Sequence, residues 1–150
     1  MNARKHSSRA GHVIVRFSNK VQLINFGTDA KAKEYINSND SLGRFTIQHV
    51  IMMPDSIFQV HMHSCEHVGY ILRGNCKIWI WKKNGGKKIH KLSDGDLFLI
   101  PKFTPHSIVV GKYGCEKLVF NIPGVDLNDP KRIIGINKGV LTKTWTQKKE

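Results

Sequence analysis

The hydrophobic rhythm of the chain changes near residue 44. Before it, Asp29-Ala-Lys-Ala-Lys-Glu-Tyr-Ile-Asn37 joins alanine and lysine to a capping Thr28 or Asp29, and Asn37-Ser-Asn-Asp40 closes the run. That composition predicts one short helix. From Arg44 onward, short β-branched and aromatic runs are divided by Gly, Pro, Asn and Asp. The runs at 45–52, 59–63, 67–72, 76–81, 88–92, 97–100, 106–110 and 117–122 predict strands, and 13–17 reads as a further short one. Asn84-Gly85-Gly86 is a hairpin signal, and Arg73-Gly74-Asn75 and Gly111–Gly114 also read as dividers. Short strands at near-regular spacing argue an all-β sandwich or barrel, and closing the sheet removes its exposed edges.

Alternation assigns faces. Phe45, Ile47, His49 and Ile51 share one face of their strand, with Arg44, Thr46, Gln48 and Met52 on the other. If the aromatic and aliphatic set lines the barrel, His49 becomes a candidate pocket acid/base or a partner to a metal ligand. The competing reading is a hydrogen-bonded core histidine. Trp79 and Trp81 share a face opposite Cys76, Ile78 and Ile80. They need cover from the helix, from the C-terminal tail or from a second copy of the chain.

Composition narrows the class. The chain has 150 residues, 40% of them hydrophobic, enough for one domain with a core. The boundaries expected are a basic tail at 1–10, a barrel domain at 11–124 with its motif core at 44–122, and a C-terminal extension at 125–150. No run approaches the roughly 18 apolar residues that span a bilayer, and no apolar segment follows the basic N-terminus as in a signal peptide. Cys65, Cys76 and Cys115 make an odd count, which argues for a reducing, cytoplasmic setting. The formal charge of +13 is concentrated in Lys82, Lys83, Lys87, Lys88, Lys91 and the two termini. Without a nucleic-acid motif it reads as a solvated hairpin tip and polar tails, with attraction of an anionic small substrate as a milder consequence. No specific nucleic acid and no membrane partner is expected.

The chemistry lies in the histidines. His61 and His63 are two apart, so a strand presents both on one face, and His67 follows four residues on. His106 opens a later strand. Neutral imidazole is the commonest metal ligand, and four imidazoles at these spacings make a candidate site for one divalent ion. Imidazole suits iron, zinc, nickel and copper, whereas manganese prefers oxygen. Iron(II) or zinc(II) is therefore favoured, with nickel(II) and copper(II) admitted. Glu66 and Cys65, beside His67, are competing donors.

These residues resemble the motifs of the cupin superfamily of small β-barrels. His61 and His63 match the His-x-His pair of its first motif, and Gly74 matches the closing glycine. The motif's glutamate position falls on His67. Gly95, Pro101 and His106 match the second motif. The resemblance covers roughly residues 44–122. Asp55 stands at the opening glycine of the first motif, Phe103 at the glycine before His106, and Val110 at the final asparagine. The resemblance implies a single antiparallel jelly-roll barrel, to which the predicted helix is an N-terminal addition. It also implies a bend between His63 and His67, and a homodimer.

Three functions fit this chemistry. The first is an iron(II) dioxygenase-type reaction on a small molecule at the four-histidine site. The second is a non-redox cyclase, isomerase, decarboxylase or lyase, in which the ion acts as a Lewis acid. The third is a non-enzymatic sensor or ligand-binding module.

Overall fold

The computed structural model describes residues 24–26, 29–82, 84–130 and 132–135. The described residues contain strands and turns and no helix. Two long strands organise them. Strand β5, Glu66–Trp81, and strand β8, His106–Ile122, pair antiparallel along their whole length, from Glu66 opposite Ile122 to Ile80 opposite His106. The free edge of β8 is shared. Its first part pairs with β4, Ile57–Met62, and its second with β3, Thr46–Met52. The free edge of β5 is shared by β7, Leu97–Ile100, and β6, Lys87–Ser93.

The sequence divides each long strand in two, and the physical reason they stay whole is visible at the glycines. Gly74 has a φ of +89°, and a Cβ there would lie 2.2 Å from the carbonyl oxygen of Gly114. Register shifts flank this point, between Ile71 and Arg73 and between Gly74 and Cys76. The glycines therefore make a bulge where two backbones close on each other, and the ladder bends without ending.

The helix expected at residues 29–37 does not form. Ala30–Ile36 is strand β2, paired antiparallel to β3 on one side and to β1, Ile24–Phe26, on the other. The same segment carries a period of two, with Ala30 and Ala32 buried and Lys31 exposed. Helix propensity differs by only tenths of a kcal/mol per residue, and a waiting sheet edge overrides it. The run at 13–17 lies outside the described residues.

The core gathers Ile71, Ile78, Ile100, Ile108, Val110 and Val119 with Ala30, Ala32 and Met52. The chain does not leave the barrel at residue 124. Val125 and Leu127 are buried, and the Val125 carbonyl accepts bonds from Thr46 Oγ1 at 3.0 Å and Gln48 Nε2 at 2.9 Å. The Asp126 carboxylate accepts from the Ser38 amide and hydroxyl, at 2.7 and 2.6 Å. Strand β9, Ile134–Gly135, then pairs with β4 opposite His61 and Met62. Trp79 and Trp81 are half-buried, with Lys87 Nζ 4.0 Å and 5.5 Å from their ring centroids.

Candidate metal centre

Each histidine of the cluster is delivered by a different local device. His61 is the penultimate residue of β4 and sits in register with His106 at the start of β8. His63 follows just before a bend at residues 64–65, after which the chain re-enters the sheet at Glu66. His106 follows Pro101–Pro105, the turn that joins β7 to β8. His63, His67 and His106 are 6%, 5% and 0% exposed, and His61 is also buried.

One ring nitrogen from each of His61, His63 and His106 falls within a sphere where all three lie within 4.8 Å of one another. The centroid separations are 4.3 Å for His61–His106, 5.0 Å for His61–His63 and 5.2 Å for His63–His106. In all three the Nδ1–H donates to a backbone carbonyl. The partners are Gln59 at 2.7 Å, Arg132 at 2.7 Å and Thr104 at 2.9 Å. A carbonyl only accepts, so the proton sits on Nδ1 and the Nε2 lone pair is free. His106 Nε2 is fully buried with no hydrogen-bond partner among the described residues. A buried polar atom without a partner is costly, and here it has an explanation. Three convergent lone pairs, with their rings oriented by second hydrogen bonds, are what a divalent ion requires. Burial is the main force holding all four imidazoles below their usual pKa, His63 to about 3. They are neutral at physiological pH, the form that ligates.

His67 stands beside this trio and is not a member of it. Its ring stacks on His63 at 4.6 Å and 9°. Its Nδ1 donates to Asn121 Oδ1 at 3.0 Å, and Asn121 Nδ2 donates to Thr46 Oγ1 at 3.1 Å and Gln48 Oε1 at 3.3 Å. Cys65 is buried and its thiol points to the same Asn121 oxygen at 3.6 Å. Glu66 is exposed, on the opposite side of the strand from the buried His67. Replacing Asn121 with leucine would leave buried groups on His67, Thr46 and Gln48 unpaired. We expect a loss of about 1–3 kcal/mol in urea unfolding, together with weaker metal retention. An unchanged unfolding midpoint would show the network to be dispensable.

His49 is placed differently from expectation. On β3 the buried face is Thr46, Gln48, Val50 and Met52, and His49 lies on the other. Its Nε2 meets Glu116 at 3.2 Å and its Nδ1 meets the Tyr35 hydroxyl at 3.3 Å. Glu116 also pairs with Arg73. His49 is thus part of an outer ion-pair group and does not face the imidazole cluster. Thr46 and Gln48 take inner positions because they are bonded to Asn121 and to the Val125 carbonyl.

The same inversion on β8 explains what the sequence reading missed. Lys117, Val119 and Asn121 face inward, while Leu118 and Phe120 are half-buried on the outside. Lys117 is 5% exposed, and its Nζ lies 5.5 Å from the Phe98 ring centroid. Phe98 in turn stacks on His67 at 6.1 Å. Gly69 makes room for that ring, since a Cβ there would come within 2.1 Å of it. Burial lowers the Lys117 pKa to about 8. The signal available in the sequence was a lysine and an asparagine with the same parity in an otherwise apolar strand.

Asp55 and Phe103, which stand where the motifs have glycine, both have a φ of +57°. The backbone keeps the left-handed conformation that glycine favours, and the Phe103 amide donates to the His63 carbonyl at 2.7 Å. The turn before His106 is thereby tied to the strand end that carries His63.

An antiparallel barrel with a group of three convergent imidazoles inside it defines a metal-binding β-barrel protein. Residues 48–112 match the family model described as a cupin domain, and the described strands have a cupin-like fold. Oxalate decarboxylase OxdC of Bacillus subtilis (strain 168) is 27% identical over 101 residues, covering 59% of this chain and 26% of that protein. A tryptophan-to-phenylalanine variant of the Bacillus subtilis enzyme superposes with a TM-score of 0.69 at 20% identity, over 82% of this chain and 32% of that one. A structure concerned with the Mn(II) centres of the same enzyme gives 0.66 at 20% identity, over 82% and 34%. At that identity the superpositions establish the fold alone. The chain spans about a quarter of the length of the curated relative it matches.

Proposed function

We propose that this chain is a metal-dependent enzyme acting on a small molecule, with the ion held by His61, His63 and His106, and that its reaction is of the lyase type, decarboxylation being the nearest precedent. The observation that carries the reading is the buried, unpartnered Nε2 of His106 within a trio whose Nδ1 atoms are all satisfied by carbonyls. A bound divalent ion would supply Lewis acidity there. The protein's own part is to present neutral lone pairs, to keep the rings from rotating and to wall the site with Phe98 against water. The precedent is the likeness to oxalate decarboxylase.

The all-nitrogen donor set favours a second reading, iron(II)-dependent dioxygenation. Imidazole donors also argue for iron(II) or zinc(II) over the manganese named for the relative's centres. In this reading His67, stacked on His63, would serve as a fourth ligand position. A His67→Ala variant separates the roles. Loss of metal like that of a trio variant makes it a ligand, and retention with altered activity makes it a wall residue.

The deciding experiment begins with elemental analysis of the purified protein. Metal-free chain is then loaded separately with Fe(II), Zn(II) or Mn(II). Carbon dioxide release and oxygen uptake are followed with a panel of small acids that includes oxalate. Carbon dioxide without net oxygen uptake is the expected result. Stoichiometric oxygen uptake would replace the lyase reading with the dioxygenase, and a metal-loaded chain that turns over nothing in the panel would favour a binding module.

A further inference from the structure

We propose that Lys117, a buried lysine on the inner face of β8 with no carboxylate partner among the described residues, holds the anionic group of the substrate, and that this makes small carboxylates the substrate class. The inference rests on the reading of the cluster as the metal centre of a small-molecule enzyme. Lys117 points inward from β8 in the same row as Asn121, which anchors His67. Lys117 and His67 lie against the same Phe98 ring. The lysine's charge acts on all four imidazoles of the cluster.

Among the described residues no carboxylate is paired with it. The Glu116 carboxylate, held by His49 and Arg73, sits on the outer side of β8. The groups that favour its charged form are the buried free thiols Cys76 and Cys115, which are not carboxylates. A buried ammonium without a counter-charge is strongly disfavoured. A dication held by neutral imidazoles would keep its full charge in the same interior and worsen the imbalance. A protein shaped only for stability would carry an apolar residue here, so the position reads as one where stability is given up for binding. A carboxylate balances both charges at once, offering oxygen atoms to the ion and to Nζ.

The test is titration calorimetry of the metal-loaded chain with oxalate, malonate and pyruvate, for the wild type, Lys117→Met and Lys117→Arg. Metal content and melting temperature are measured on each. The wild type should bind at least one of the three acids, and Lys117→Met should bind it roughly 30-fold or more weakly with its metal content unchanged. Lys117→Arg should keep most of the affinity. Without ligand, Lys117→Met should melt at the same or a higher temperature than the wild type, which a merely structural lysine would not allow. Unchanged affinity in Lys117→Met, a variant that melts lower or fails to fold, or a wild type that binds none of the acids would each overturn the proposal. If the wild type takes up no metal, the function proposed above fails. Lys117-dependent binding of an acid by the metal-free chain would still uphold the role of the lysine.

Discussion

Replacing His106 with alanine is expected to strip the protein of its metal. His106 is fully buried, its Nδ1 is held by the Thr104 carbonyl at 2.9 Å, and its Nε2 has no partner but the position the ion would take. Alanine removes one of three convergent donors. The affinity should fall by more than the roughly 10–100-fold that follows loss of a supporting hydrogen bond at such sites. Elemental analysis after gel filtration in metal-free buffer measures this directly. His49→Ala is the informative control, since His49 is engaged with Tyr35 and Glu116 on the other face of β3 and should leave metal content unchanged. Full metal retention in His106→Ala would refute the trio as the ligand set.

The metal-free protein should lose stability steeply as the pH falls below about 6.5. Four histidines are buried, and burial holds each below the ordinary value of 6.5, with His63 at about 3. In the unfolded chain each takes up a proton near 6.5, while the folded chain resists it. Between 6.5 and the folded value the unfolded state therefore binds more protons, and stability must rise with pH across that window. It is fully present above 6.5 and drains away on acidification, with a limiting slope of about 1.4 kcal/mol per pH unit for each histidine. Four such groups weigh heavily against the ~5–15 kcal/mol that holds a domain together. Urea unfolding at pH 7.5, 6.0 and 5.0 checks the sign. His63→Gln should flatten the slope, and an unfolding midpoint that does not move between pH 7.5 and 5.0 would contradict the burial of the cluster. Metal-loaded protein should show the same direction, because protons and the ion compete for the same Nε2 lone pairs.

The site was legible in sequence to a different depth at each residue. His61 and His63 could be paired from spacing alone, and His106 could be joined to them through motif order. The bend that separates His63 from His67 was legible only through resemblance, and it is present at residues 64–65. Lys117 and Asn121 were not seen. An alternating strand says which residues share a face and leaves open which face turns inward. Hydrophobicity suggested Phe45, Ile47 and Ile51 for the interior, and the structure turned Thr46 and Gln48 there, bonded to Asn121 and the Val125 carbonyl. A barrel that encloses a polar site inverts the usual rule at its functional strands.

By itself, then, the sequence determined the all-β class, most strand positions and the histidines of the metal site, because these follow from local periodicity and from residue chemistry at short range. Tertiary structure decided the rest. It drew Ala30–Ile36 into a strand, because pairing with β3 outweighs a weak helical preference. It carried β5 and β8 unbroken through their glycines, because two backbones meet there. It brought residues 125–130 and 132–135 onto the barrel, so that the Arg132 carbonyl orients His63. It also set which face of β3 and β8 is inside, a choice made by partners from distant segments and therefore invisible to any window along the chain.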